Sequence, residues 1–198
     1  MALTALFAIT LLSRFPFLGP GYGLDPDAWR LASTARLISE TGQYHESRSP
    51  GHPVQELTCS LLWRAGPIAL NGVTALLSAI AVCFFAETLF ALGSRVVFAP
   101  ALALAFCPVV YVNSVNAMDY VWALAFLLGA LCFAIRGRPV VAGLFLGLAT
   151  GTRITSAAAI LPLGLLLGYR RRNLLLFVGS TVVTAILLYL PSYLREGR

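Results

Sequence analysis

Two carboxylates stand two residues apart in segment 23–29, directly after the first apolar stretch of the chain. Asp25 and Asp27 have the chemistry to take a proton from a hydroxyl group or to bind a divalent cation such as Mg²⁺ or Mn²⁺. A proline follows Asp25, and an aspartate before a proline is also a common beginning of a helix. The sequence leaves both interpretations open: a catalytic and metal-binding pair, or residues that cap a helix.

A turn rich in proline and glycine, residues 49–53, follows Tyr44 and places His52 at the start of the next predicted helix, with Glu56 one turn further on. An imidazole can move a proton or donate a hydrogen bond to a phosphate. Simple solvation is the alternative for a histidine in an exposed loop. We include Tyr44, His52 and Glu56 among the candidate substrate-binding residues.

Two more ionisable residues lie beside apolar stretches farther along the chain. Arg153 is flanked by Thr152 and Ile154 in a short turn, and Asp119 begins an apolar run. A guanidinium group matches phosphate oxygens with two parallel hydrogen bonds, although an arginine here could also only extend to the membrane surface. Asp119 could cap its helix or face the same site. We predict that both residues bind substrate.

The composition predicts an integral membrane protein. Only 11% of the 198 residues are charged and 59% are hydrophobic, whereas about 25% of the residues of a soluble domain are charged. The net charge of +6 comes from arginine alone, and no basic stripe with interleaved aromatic residues indicates a nucleic-acid partner. Four cysteines without a CxxC spacing indicate neither a zinc site nor a disulfide framework.

The apolar runs predict an all-α, multi-pass membrane protein with about seven transmembrane helices, which forms a single module over residues 1–198. A span needs about 20 apolar residues, so the two runs 139–151 and 154–169 could instead form a short hairpin or a re-entrant element. The runs cover residues 2–18, 67–92, 96–112, 119–135, 139–151, 154–169 and 174–193.

The long polar loop 19–63 predicts two interfacial helices. The first begins at Asp25 and ends at Thr41-Gly42, and the second runs from Pro53 to Trp63. Apolar residues recur at helical spacing in the first one, so we expect that face to lie on the membrane surface. These residues are Ala28, Leu31, Ala35 and Ile38.

Arginines in alternate loops set the predicted orientation. Arg95, the Arg136–Arg138 turn and the run 170–172 fall on one side, which the positive-inside rule assigns to the cytoplasm of a cell-membrane protein. All the candidate site residues then fall on the external face. Because an ionisable group within the bilayer costs about 2.5–3.5 kcal/mol, their gathering at one face predicts a functional site.

The order of several motifs resembles the GT-C superfamily of membrane glycosyltransferases, which includes the protein O-mannosyltransferases and the lipid A aminoarabinose transferases. The motifs are Ser13-Arg14-Phe15-Pro16, the acidic Asp25-Pro26-Asp27, Tyr44, the turn 49–53 and the stretch 142–153. The resemblance implies transfer of a sugar from a polyprenyl-phosphate carrier to an acceptor at the external face. It also implies that Asp25 or Asp27 is the base or organises a metal, and that Arg153 lies near the carrier phosphate.

The chain departs from the family pattern at its end, because family members continue through several more spans. It resembles an N-terminal module, so we expect that a partner chain could supply the C-terminal half. One alternative is a non-catalytic or truncated subunit of the same fold that binds lipid or a partner. A small transporter ranks last, because we find no ionisable group near the middle of a span and no duplicated half.

Overall fold

The computed structural model describes residues 2–168 and 170–196, which form α-helices, short 3₁₀ turns and loops, with no β-strand in these two ranges. The predicted all-α class is confirmed. The 3₁₀ turns are Phe15–Phe17, Trp63–Ala65 and Ile154–Ala159. The helices are α1 (Ala2–Arg14), α2 (Pro26–Thr41), α3 (Pro53–Leu62), α4 (Gly66–Ala91), α5 (Phe98–Ala105), α6 (Pro108–Asn113), α7 (Tyr120–Ile135), α8 (Pro139–Thr152), α9 (Ile160–Leu166) and α10 (Arg171–Glu196).

Two helical segments, Pro53–Ala91 and Arg171–Leu194, are long and apolar enough to cross a membrane. The other apolar helices are shorter than the roughly 20 residues of a span: α7 has 16 residues and α8 has 14. The structure thus supports the coarser part of the membrane prediction, and about seven spans stay a prediction.

Proline explains why one predicted run is not a single helix. The run 96–112 is divided into α5 and α6 at Cys107, whose backbone is extended before Pro108. Proline has no N–H group and disfavours a helical conformation in the residue before it. The run 154–169 likewise begins as a 3₁₀ turn and continues as the seven-residue α9, and its last residue, Tyr169, lies outside the described residues.

Local sequence sets both ends of α2 as predicted. The Asp25 carboxylate accepts a 2.9 Å hydrogen bond from the Asp27 N–H, and Pro26 occupies the first helical position. Gly42 ends the helix with a φ of 66°, and its N–H donates to the Ile38 carbonyl. Glycine adopts this left-handed conformation without the steric cost that a side chain would bring.

The apolar face of α2 does not lie on a membrane surface, and that prediction was wrong. Ala28, Leu31, Ala35 and Ile38 are buried inside the protein. The first three belong to one core cluster with residues of α3, α4 and α7. An apolar helical stripe has the same sequence pattern whether it covers lipid or protein, so spacing alone could not distinguish the two. This packing fixes α2, and with it Asp27, on the end of the bundle.

Glycines bring α8 unusually close to α10. A Cβ atom on Gly147 would lie 2.5 Å from the Thr184 Cβ, and one on Gly151 would lie 2.6 Å from Leu188. Gly143, four residues before Gly147, also meets α10, at Ser180. Small residues at this spacing let apolar helices approach closely in membrane proteins. The contact holds the end of α8, and therefore the turn that carries Arg153.

Arg14 ties α1 to the segment that leads into α7. Its guanidinium is fully buried and donates to the carbonyls of Thr10 and Ala105 and, at 3.1 Å, to the Ser114 hydroxyl. It also lies 4.4 Å from the centre of the Tyr111 ring. The positive charge is thus balanced by carbonyls at the C-terminal ends of α1 and α5, where helix dipoles favour a cation.

Candidate functional site

A buried carboxylate, Asp119, is the centre of a cluster of charged side chains at one end of the bundle. Its Oδ2 atom lies 3.2 Å from Arg153 Nη1, 3.5 Å from Arg48 Nη2 and 3.7 Å from His52 Nδ1. The side chain is only 1% exposed. Three segments therefore meet here: the loop before α3, the start of α7 and the turn after α8. We call Asp27, Arg48, His52, Asp119 and Arg153 the Asp119 cluster.

Arg48 connects the two ends of this cluster. Its Nη1 donates to the Asp27 carboxylate while its Nη2 faces Asp119. Asp27 is also paired with Arg30 at 3.3 Å. Arg48 lies in the polar loop 19–63 and is not among the site residues predicted from the sequence. No local signal would have found it, because its partners come from two other parts of the chain.

The structure separates the two acidic residues that the sequence pairs. Asp27 belongs to the Asp119 cluster, whereas Asp25 is exposed and caps α2 with its carboxylate. For Asp25, the capping interpretation accounts for the observed contact. No contact of Asp25 in the described structure supports its predicted catalytic or metal-binding role.

Some buried polar atoms of the Asp119 cluster have no hydrogen-bond partner within the described residues. Asp119 and Arg153 are close enough for an ion pair, but neither Asp119 oxygen nor Arg153 Nη1 makes a hydrogen bond within the described residues. Buried polar atoms are nearly always hydrogen-bonded in proteins, so each exception needs an explanation. Of these three atoms, Arg153 Nη1 is a donor that could bind an anion, whereas the two Asp119 oxygens could accept from a hydroxyl or another donor.

Two hydrogen bonds hold His52 in place, one at its imidazole ring and one at its backbone N–H. Nδ1 lies 2.6 Å from the Thr152 carbonyl oxygen, and the backbone N–H donates to a Glu56 oxygen at 3.0 Å. A carbonyl oxygen can only accept, so Nδ1 must carry the hydrogen. The neutral imidazole then has its lone pair on Nε2. Because Thr152 directly precedes Arg153, the same turn positions both side chains.

Glu56 holds the loop before α3 from the inside. Its carboxylate is fully buried and accepts hydrogen bonds from the Tyr44 hydroxyl and, both at 2.6 Å, from the Ser47 N–H and hydroxyl. Burial, and then the charge of Glu56, raise the pKa of Tyr44, so this hydroxyl stays a donor. The hydroxyl also lies against Gly51, where a Cβ would be 2.6 Å away.

The contacts of Tyr44 and Glu56 are internal, so they point to a positioning role. The loop that these two residues hold carries Arg48 and His52, which do reach the Asp119 cluster. The predicted contact of Tyr44 and Glu56 with a substrate stays a prediction. In the structure, Tyr44 and Glu56 support the loop from which the side chains of Arg48 and His52 extend.

An apolar groove begins next to Arg153. The guanidinium of Arg153 lies 4.4 Å from the centre of the Tyr120 ring. Tyr120 also lines a groove of about 370 Å³ between α6 and α7, together with Val109, Asn113, Val121 and Leu124. An amphiphilic ligand could therefore contact apolar side chains and a guanidinium group at the same time.

The predicted divalent cation at Asp25 and Asp27 stays a prediction. The described part of the chain has no group of three or more His, Cys, Asp or Glu side chains arranged around a common point. Asp25 accepts the hydrogen bond of the helix cap, and Asp27 is paired with Arg30 and Arg48. A cation at Asp27 would have two guanidinium groups as neighbours, which repel it.

Comparison with known proteins adds no family to this description. Neither protein-family models, nor curated proteins, nor solved structures match the chain. The chemical interpretation of the Asp119 cluster therefore rests on its own contacts. They describe a buried carboxylate with unused hydrogen-bonding capacity, surrounded by two arginines and a histidine, at one end of an apolar helical protein.

Proposed function

We propose that this chain is a multi-pass membrane glycosyltransferase of the GT-C type, or its N-terminal catalytic module. It takes a sugar from a polyprenyl-phosphate carrier and passes it to an acceptor at the external membrane face. The observation that carries the proposal is the convergence of Arg48 and Arg153 on a buried, incompletely hydrogen-bonded Asp119 beside an apolar groove.

The two arginines supply what a phosphate leaving group needs. Negative charge develops on the phosphate as the bond to the sugar breaks, and guanidinium groups placed beforehand stabilise it. Arg153 Nη1 has hydrogen-bonding capacity that its protein neighbours do not use. A phosphate can accept from this atom, and Arg48, which faces the same Asp119 oxygen, can supply a second donor.

The groove next to Tyr120 supports a lipid-linked phosphate over a water-soluble one. Its lining is mostly apolar, and the two valines and Leu124 belong to apolar helices. A polyprenyl chain can lie against this surface while its phosphate reaches Arg153. A free sugar phosphate would leave the groove without a ligand contact.

The acceptor hydroxyl must lose a proton during transfer, so a base is needed in the same cluster. The cluster offers two candidates, Asp27 and His52, and Asp27 also holds Arg48 in place. Asp25 remains at the cap of α2 in this proposal.

Binding of polyprenyl phosphate to the protein in lipid nanodiscs tests the proposal. Arg48→Ala combined with Arg153→Ala removes both phosphate contacts, and each charge-assisted hydrogen bond contributes about 1.5–3 kcal/mol. We expect binding to weaken by roughly a hundredfold or more in the double variant, and sugar transfer to be lost with it. Arg138→Ala combined with Arg170→Ala is the matched control, because both residues are exposed and lie away from the Asp119 cluster. Equal affinities of the wild type and the cluster double variant would refute the proposal.

The second candidate, a non-catalytic subunit of the same fold, has one specific observation in its favour. Only 11% of the membrane-length part of α10 is buried in the protein. Large apolar side chains such as Leu187 and Tyr193 are exposed on it. A partner chain could cover this face. Catalysis by the purified chain alone, without any partner, would exclude this second function.

A further inference from the structure

We propose that His52 is the general base of the transfer and that its Nε2 atom, not the carboxylate of Asp25 or Asp27, takes the proton from the acceptor hydroxyl. This inference rests on the proposed function and assigns the base that this function requires. The geometry that points to it is the fixed orientation of the imidazole beside Asp119.

The hydrogen bond at Nδ1 decides which nitrogen is basic. Thr152 offers only a carbonyl oxygen at 2.6 Å, so Nδ1 is a donor and the lone pair of the neutral ring is on Nε2. The contacts shown for the ring, with the Thr152 carbonyl and with Asp119, are both made by Nδ1, so Nε2 is the nitrogen that offers its lone pair. A nitrogen with a free lone pair in a fixed ring is suited to accept a proton.

A buried carboxylate also faces the ring. Asp119 Oδ2 lies 3.7 Å from Nδ1. Other charged and titratable groups lie close by: Arg48 and Arg153 face Asp119, the Glu56 carboxylate accepts from the His52 backbone N–H, and the Tyr189 hydroxyl donates to the neighbouring Gly51 carbonyl.

Both first-loop carboxylates already have partners that a proton transfer would disturb. Asp25 accepts the hydrogen bond that begins α2. Asp27 accepts from Arg30 and Arg48. To take a proton, Asp27 would have to give up an ion pair that holds Arg48 in the cluster. Protonation of His52 breaks no contact that the structure shows.

The step is balanced as a substitution at the anomeric carbon. The acceptor hydroxyl transfers its proton to Nε2, its oxygen forms the new bond to the anomeric carbon, and the bond from that carbon to the phosphate oxygen breaks. The electron pair leaves with the carrier phosphate, next to Arg48 and Arg153. The imidazolium then releases the proton to water, so no oxidant, reductant or metal is needed.

The first experiment measures the tautomer and does not depend on activity. The sequence contains only two histidines, so His45→Gln leaves His52 as the single imidazole. Nitrogen NMR of ¹⁵N-labelled His52 in nanodiscs should show the neutral ring with its hydrogen on Nδ1. A neutral ring with its hydrogen on Nε2 would overturn the inference, because the lone pair would then face Thr152.

The second experiment measures the pH dependence of sugar transfer. His52→Asn keeps an amide N–H that can donate to the Thr152 carbonyl but has no base, and His52→Gln provides a second variant with a longer side chain. We expect the rate to fall by about 10²–10⁴-fold. The decline of the wild-type rate on acidification should disappear in both variants, while polyprenyl phosphate binds with unchanged affinity and the unfolding temperature is kept.

The outcomes separate the two proposals. A wild-type rate in both His52 variants would overturn the role of His52 and leave the glycosyltransferase function standing. A wild-type chain that neither binds polyprenyl phosphate nor transfers a sugar would overturn both. A slow variant that still binds the carrier normally supports the base assignment specifically, because a merely structural defect would reduce binding as well.

Discussion

Two buried acids lie at the same end of this protein, and their surroundings differ in a way that distinguishes support from function. Glu56 accepts hydrogen bonds from a tyrosine, a serine and two backbone N–H groups, all from the loop before α3. Asp119 has charged neighbours from two other segments but no side-chain hydrogen bond within the described residues. A satisfied buried carboxylate fixes a loop. We propose that the unsatisfied one marks the place where a ligand binds to the surrounding arginines.

The largest expected effect is the loss of the Glu56 carboxylate. Glu56→Ala leaves several buried donors without an acceptor, so we expect the free energy of unfolding to fall by roughly 3–5 kcal/mol. Chemical unfolding in detergent, followed by tryptophan fluorescence, measures it. Glu40→Ala is the control, because Glu40 forms an exposed ion pair with Arg36 whose loss costs less than about 1 kcal/mol. Similar losses in the two variants would contradict the supporting role of Glu56.

The second prediction concerns the scaffold that presents Thr152 and Arg153 to Asp119. Gly147→Ala places a methyl group 2.5 Å from Thr184 in α10, and overpacking of this kind costs about 1–3 kcal/mol. Gly72→Ala is the matched control, since a Cβ there has open space within 4 Å. We expect the unfolding temperature and the carrier affinity to fall together for Gly147→Ala and to be kept for Gly72→Ala. If Gly147→Ala behaves like its control, α8 and α10 are not in the close contact described above.

The third prediction tests Asp119 directly. Asp119→Asn removes the charge that competes with an anion for Arg48 and Arg153, so phosphate should bind more tightly, by about tenfold for a contact of roughly 1.4 kcal/mol. Transfer should nevertheless slow down, because His52 loses the carboxylate that faces its Nδ1 atom. Calorimetry with polyprenyl phosphate and a transfer assay measure the two effects. Weaker binding would mean that Asp119 organises the arginines more than it competes with their ligand.

Short-range features of the fold could be predicted from the sequence. The beginning of α2 at Asp25-Pro26, its end at Gly42 and the beginning of α3 at Pro53 depend on the residues at those positions alone. The all-α class follows from the apolar runs. These predictions needed no knowledge of what lies across the protein.

Long-range pairing could not be predicted in the same way. The contact of Arg48 with Asp27 and Asp119 depends on how three segments pack, and nothing near Arg48 indicates it. The spacing of Gly143, Gly147 and Gly151 did contain a usable signal, since small residues every four positions indicate a close helix contact. The apolar face of α2 is the opposite case. Its helical spacing is clear, but the spacing does not show whether the face packs against lipid or against protein.

The smallest expected effect separates the two carboxylates with which the sequence analysis began. Asparagine caps a helix about as well as aspartate, so Asp25→Asn should change the free energy of unfolding by less than about 0.5 kcal/mol. It should also leave transfer at the wild-type rate. Asp27→Asn keeps the shape of the side chain but removes the ion pairs with Arg30 and Arg48. We expect it to weaken carrier binding, because Arg48 is no longer held beside Asp119.

Both asparagine variants are measured side by side for thermal unfolding, polyprenyl-phosphate affinity and transfer. Loss of transfer in Asp25→Asn with unchanged stability would restore Asp25 as a catalytic residue and would show that its cap is not its main role. Unchanged carrier affinity in Asp27→Asn would mean that Arg48 is positioned without Asp27, for example by the Glu56 loop alone. The expected pattern is a silent Asp25 variant and a binding defect at Asp27, because only Asp27 is connected through Arg48 to the unsatisfied carboxylate of Asp119.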